Sequence, residues 1–441
     1  MRSLSTILIT FFCLSAFAQP ELTTYDESVN RDYIRSVRLH VSGLLLSMPV
    51  ASLGANEALT LSFDELDGKG TRYYYTVIHC DRTWQPTQEL SQFDYLGGYK
   101  EGEIRDYEIS SGTYQDYLHY YVSLPNDEVK WNISGNYLLV VYESGAENDP
   151  ILTRRFMITE ERMGYKTYVG KPAMVAKQNT HQEIDITMDI KALRTANPRM
   201  ELSNTLLQNG RWDNAVHDIQ PRTITGTELS YDFQDNLVFE AGKEFRNMDI
   251  SSMKFRSENV KDIMEYKEGL TTVLFEDEPR AYKNYIWRRD LNGMFVPFNR
   301  DYDHKVIPLD SLESTINLVN RYNYREQNRS TEYSEVQLTL NMSNINREVY
   351  IVGGMTDWKL LPEYRMVFDE RIGAYVSTLY LKQGYYNYAY AVANEKGLPN
   401  FSELEGNWYA SENNYTILTY FRPRGGQYDQ LVGVYTFNSN Y

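Results

Sequence analysis

His79-Cys80-Asp81 sets an imidazole, a thiol and a carboxylate side by side, the letters of a nucleophilic site. A cysteine nucleophile needs its base within hydrogen-bond reach. These residues end the apolar stretch Tyr73 to His79, which reads as a strand, and strand neighbours point to opposite faces. The expectation is therefore one core residue and one surface residue, not a catalytic pair. The six histidines, His40, His79, His119, His181, His217 and His304, show no His-x-His, His-x-x-Glu-His or His-Glu-x-x-His spacing, so a local metal motif is absent. No Gly-x-Ser-x-Gly elbow occurs. Sixty acidic residues offer many carboxylate pairs, but no stretch singles one out as a glycosidase pair. Asp67-Gly68-Lys69-Gly70 lacks the spacing of a phosphate loop or a calcium loop and reads as a tight turn. No catalytic residue, cofactor or metal site is expected, and the function should lie in binding a partner.

The elements that carry these residues are strands. Glu335 to Asn341 and Glu183 to Asp189 alternate polar and apolar residues with period two, giving one dry face and one wet face. Further candidates are Tyr73 to His79, Tyr137 to Tyr142, Glu348 to Val352, Ala374 to Leu381, Tyr386 to Val392 and Leu431 to Phe437, bounded by Gly, Asn, Asp and Pro. Helical periodicity is scarce. Asp310 to Tyr322 suits a short helix or linker, and the polar stretch Asn320 to Tyr333 a connector. The expected class is all-β, with tandem antiparallel β-sandwich domains.

Residues 1–18 read as a signal peptide: Arg2, an apolar run from Leu4 to Ala16, and Ala16-Phe17-Ala18 before a cut at Gln19. The remaining length suits about three domains. Strand sets and composition place the cuts at about 160 and 330, giving segments 19–160, 161–330 and 331–441. Cys80 is then the one remaining cysteine and cannot close an intramolecular disulfide, so packing must hold an exported fold together. The net charge of −16 argues against nucleic acid and anionic lipid as partners. Beyond the leader no apolar run reaches the ~18 residues of a spanning helix. Tyrosine is abundant, 38 of 441 residues, which fits half-buried strands, interfaces and sugar-binding faces alike. An outer-membrane barrel is disfavoured because the strands are mostly shorter than the ~9–11 residues that span a bilayer.

Two stretches resemble known families. Val349 to Trp358, Gly373-Ala374-Tyr375-Val376 and Leu381 to Tyr388 resemble the Ig-like sandwiches of starch- and glycogen-binding modules, with Met355 and Thr356 in place of the usual Phe and Asn. That resemblance implies an Ig-like fold for segment 331–441 and offers Trp358, Tyr386 and Tyr388 as sugar-stacking rings, with a glycan as partner. Packing of Trp358 over the sandwich end is the favoured role.

The second resemblance spans most of the chain. It rests on Tyr74 to Trp84, Phe93 to Tyr99, Tyr117 to Tyr121, Gly135 to Val140, Lys243 to Asp249, Asp290 to Gly293, Glu405 to Tyr409, Glu412 to Tyr415 and Tyr420 to Arg422. Together these resemble the plug proteins of the Bacteroidetes type IX secretion system. The resemblance implies a periplasmic, non-catalytic protein that docks on the very large outer-membrane translocon barrel and closes its periplasmic mouth. It implies no docking residues.

Overall fold

The computed structural model describes residues 22, 25–233, 235–301 and 328–440. The expected leader, His304 and the helix expected at Asp310 to Tyr322 lie outside these residues.

The first sandwich uses contiguous chain. A four-stranded sheet runs in the order Ile34–Val41, Leu59–Glu65, Leu118–Leu124, Asp106–Ile109. The second sheet runs Ser28–Val29, Leu152–Thr159, Gly135–Glu143, Tyr73–Cys80, Glu101–Ile104, with Val50–Ser52 parallel to Leu152–Thr159. Alternate residues, such as Leu61 and Phe63 on one sheet and Tyr73, Tyr75 and Val77 on the other, fill a common core. Phe63, Tyr73 and Tyr120 close it with ring centroids 5.0–5.3 Å apart.

The second sheet is dry on both faces. Tyr137, Leu139 and Val141 face the first core, while Leu138, Val140 and Tyr142 join Ile78, Cys80 and Met157 against Leu207, Leu418, Tyr420 and Leu431. This explains the unbroken apolar run Tyr137 to Tyr142, which a sheet wetted on one face would not carry.

The other two sandwiches interleave along the chain. His181–Asp189 and its neighbours Gly164–Gly170, Glu228–Tyr231 and Val238–Glu240 form one sheet. Its core is shared with a sheet ordered Leu202–Gln208, Asn414–Phe421, Gln430–Asn438. The third core lies within a ten-stranded sheet system. There Arg246–Asp249 pairs with Gly384–Ala393, and Gly269–Leu274 runs parallel to Tyr333–Leu340. Strands on either side of residue 330 thus hydrogen-bond to one another, and the sandwiches do not follow a cut there. A compositional boundary marks a polar connector, whereas backbone pairing alone decides which strands share a sheet.

The turn Asp67 to Gly70 joins strands of different sheets instead of closing a hairpin. Gly68 (φ 64°) and Gly70 (φ 65°) take the left-handed backbone it needs. Glu65 receives the Gly70 N–H (2.8 Å), the Thr71 N–H (3.2 Å) and the Tyr73 hydroxyl (2.7 Å).

Candidate interaction site

The sandwiches meet through buried polar contacts. Asp64, on the strand Leu59–Glu65, is fully buried. Its carboxylate accepts from Lys382 Nζ (2.7 Å) and the Tyr333 hydroxyl (2.6 Å), and touches His119 Nδ1 (2.6 Å). Lys382 ends the strand Ala374–Lys382 and Tyr333 opens Tyr333–Leu340, so a cation of the third sandwich is neutralised inside the first. Burial alone would raise the Asp64 carboxyl. Lys382 first and then His119 outweigh it and hold the group below the ordinary carboxylate range. Lys382 also sits 4.3 Å from the Tyr117 ring, and the Tyr117 hydroxyl donates to the Thr331 carbonyl (2.8 Å).

A second weld involves two tryptophan turns. Trp84 (φ 65°) and Trp358 (φ 59°) both take left-handed backbone. The Arg155 guanidinium lies 4.6 Å from the Trp84 ring, and Trp212 meets that ring edge-on at 5.1 Å. Arg211 lies 5.0 Å from the Trp358 ring, and Phe245 meets the same ring at 5.4 Å. Adjacent residues 211 and 212 of the second sandwich therefore grip both turns.

The N-terminal segment straps the same junction. Asp26 bridges Arg155 (3.2 Å) and Lys359 (2.8 Å), and Arg154 meets Asp357 (3.2 Å). A cavity of about 520 Å³ remains between these elements, lined by Val37, Leu39, Met157, Trp212, Met294 and Trp358 among others.

The three rings proposed for sugar stacking are not available for it. Trp358 is 7% exposed and already covered by Arg211 and Phe245. Tyr386 is buried, stacks on Phe295 (5.2 Å, 7°) and donates to the Lys382 carbonyl (2.6 Å). Tyr388 is buried and donates to Asp277 (2.7 Å). A platform needs a free ring face, and these faces are spent on packing. Asp277 and Glu405 hold Arg246 (2.6 and 2.9 Å), and Arg280 reaches Glu405 (2.7 Å). Burial would raise Glu405, but Arg246 and Arg280 hold it down to about 2.

His79 and Cys80 lie on opposite faces of their sheet. His79 packs by Tyr137 at 5.0 Å and contacts Thr87 through Nδ1 (2.9 Å), while Cys80 joins the core behind the sheet. Burial lowers the imidazole to about 4, and burial with Asp81 raises the thiol to about 12. Asp81 is occupied by the backbone N–H groups of Thr83 (2.8 Å) and Gln85 (2.9 Å). Among the described residues no group of three or more His, Cys, Asp or Glu is placed to hold a metal ion.

The first sandwich, apart from its short strand Ser28–Val29, coincides with a match to a known family. Residues 34–160 match the family model described as the type 9 secretion system plug protein 1st domain. Over these residues the chain is similar to the first domain of the type IX secretion plug proteins. That domain supports a role in type IX secretion. A crystal structure of a hypothetical protein from Parabacteroides merdae is 29% identical, with a TM-score of 0.84 over 93% of this chain and 98% of that one. The similarity to that structure thus runs through nearly the whole fold, well beyond the plug first domain. None of the curated proteins matches the chain.

Proposed function

We propose that the chain is a non-catalytic periplasmic plug that docks on the periplasmic mouth of the type IX outer-membrane translocon barrel and closes it. The match of the first sandwich to the plug first domain carries this reading. The physics of a stopper supports it. A wide aqueous barrel leaks unless something fills or covers its mouth. A cover must be stiff, and the Asp64–Lys382 contact, the paired tryptophan turns and the doubly covered sheet stiffen this molecule across its sandwiches. It must also offer a broad face, and one sandwich face suffices for a standard interface of about 1,600 Å² in total.

Affinity purification of the tagged chain from solubilised envelopes tests the docking. The expected co-purifying species is a very large barrel subunit in stoichiometric amount. Recovery of the tagged chain alone, or with glycan only, would contradict the reading.

A further inference from the structure

All three sandwiches wall the cavity of about 520 Å³ at their junction. Leu39, Met48 and Met157 come from the first, Trp212 and Val434 from the second, and Met294 from the third. The wall is mostly apolar, and the exposed Thr436 among its residues brings the cavity to the surface. Sites for small ligands favour such domain junctions and measure roughly 300–1,000 Å³. The three methionines suit an apolar guest, because unbranched thioether side chains re-pack around what they touch.

Three polar groups of this wall lack a hydrogen-bond partner among the described residues. Asn292 Oδ1 and Arg155 Nε are buried and make no hydrogen bond. Glu27 bonds only through its backbone: its N–H donates to Asp26 (2.8 Å) and its carbonyl accepts from Lys359. Buried polar groups are normally satisfied. An acceptor, a donor and a carboxyl left open suit a guest whose head both donates and accepts. Net charge is not part of that demand. Arg154 is paired with Asp357 (3.2 Å) and Arg155 with Asp26 (3.2 Å). Arg38 and Glu27, the other ionic groups of the wall, have opposite formal charges. A balanced wall offers no free counter-charge to an ionic head. Water would satisfy the polar groups but gain nothing along the apolar wall.

We propose that this cavity binds an uncharged amphiphile, an aliphatic body with a hydroxyl or amide head. The body lies along Met157, Trp212 and Met294, and the head meets the open polar groups of the wall. The inference goes beyond the plug reading and does not depend on a docking partner.

Isothermal titration of the purified full chain with decanol, decanoate and decylamine tests it, each below its aggregation limit. Decanol should bind saturably and about tenfold more tightly than either charged analogue, whose head finds no free counter-charge. Met294→Trp and Val434→Phe add bulk to the wall from two sandwiches. Each should weaken decanol about tenfold in protein whose circular dichroism matches wild type. Asn292→Gly keeps the left-handed backbone (φ 50°) and removes the open acceptor, so it should weaken decanol about fivefold. Saturating decanol should raise the melting temperature of the wild-type chain. Absence of saturable decanol binding, or of that rise, overturns the inference whether or not the variants fold. So does tighter binding of decanoate or decylamine, or decanol binding undiminished in the folded, filled variants.

Discussion

Lys382 carries its ammonium where the side chain has almost no contact with water, and Asp64 is its counter-charge. Removing one partner of such a pair strands the other charge. Lys382→Met should therefore cost about 3–5 kcal/mol in guanidinium unfolding. Adding Asp64→Asn to Lys382→Met should restore much of that loss, and strict additivity would show the two residues uncoupled. The Asp64 carboxyl is depressed in the folded state, so the stability it adds is present above the ordinary carboxylate value of about 3.9 and drains away as pH falls below it. Cys80 should resist a thiol reagent at pH 8 in the native protein and react fully in denaturant, because burial raises its thiol and hides it. At this scale the sequence was readable only where neighbours decide. Strand alternation separates His79 from Cys80 without any structure. Asp64 and Lys382 stand 318 residues apart, and no local pattern marks either as the other's partner. Trp358 was readable as a ring that packs over a sandwich end, but the Arg211 and Phe245 that cover it come from distant chain.

Among the elements, the N-terminal strap is one whose hold depends on pH. Its Glu27 carboxyl is pushed up to about 7 by burial and then by Asp357, and Asp290 at the base of loop 279–290 is pushed up to about 7 by burial. An acid raised on folding stabilises the fold fully below its unfolded value, about 4 for these groups, and loses that contribution as pH rises through 7. Denaturation midpoints should therefore fall between pH 5 and 8. Glu27→Gln should remove part of that slope and raise stability at pH 8, and an unchanged slope would show that the strap does not titrate there. Strand positions were legible because period two is local: buried Val336, Leu338 and Leu340 alternate with exposed Glu335 and Gln337 and half-buried Thr339. Pairing was not legible. Nothing in Gly269–Leu274 announces a parallel partner beyond residue 330.

The whole molecule is three main cores joined by one doubly covered sheet and by buried side-chain contacts between sandwiches. The strands of the third sandwich, residues 246–400, are inserted between strands of the second, which ties both ends of the third to the second. Calorimetry should show one dominant cooperative transition, and two well-separated transitions would argue against welded sandwiches. Residues 25–160 expressed alone should expose Ile78, Leu138, Val140 and Met157 on one face and aggregate or melt well below the full chain. The central claim is that this welded body stops a pore. The direct measurement is single-channel current through the purified translocon barrel in a planar bilayer, with the chain added on the periplasmic side. The account predicts a stepwise, saturable fall to near-zero conductance, reversed by washing the chain out. Conductance unchanged by a saturating amount of folded chain would contradict it.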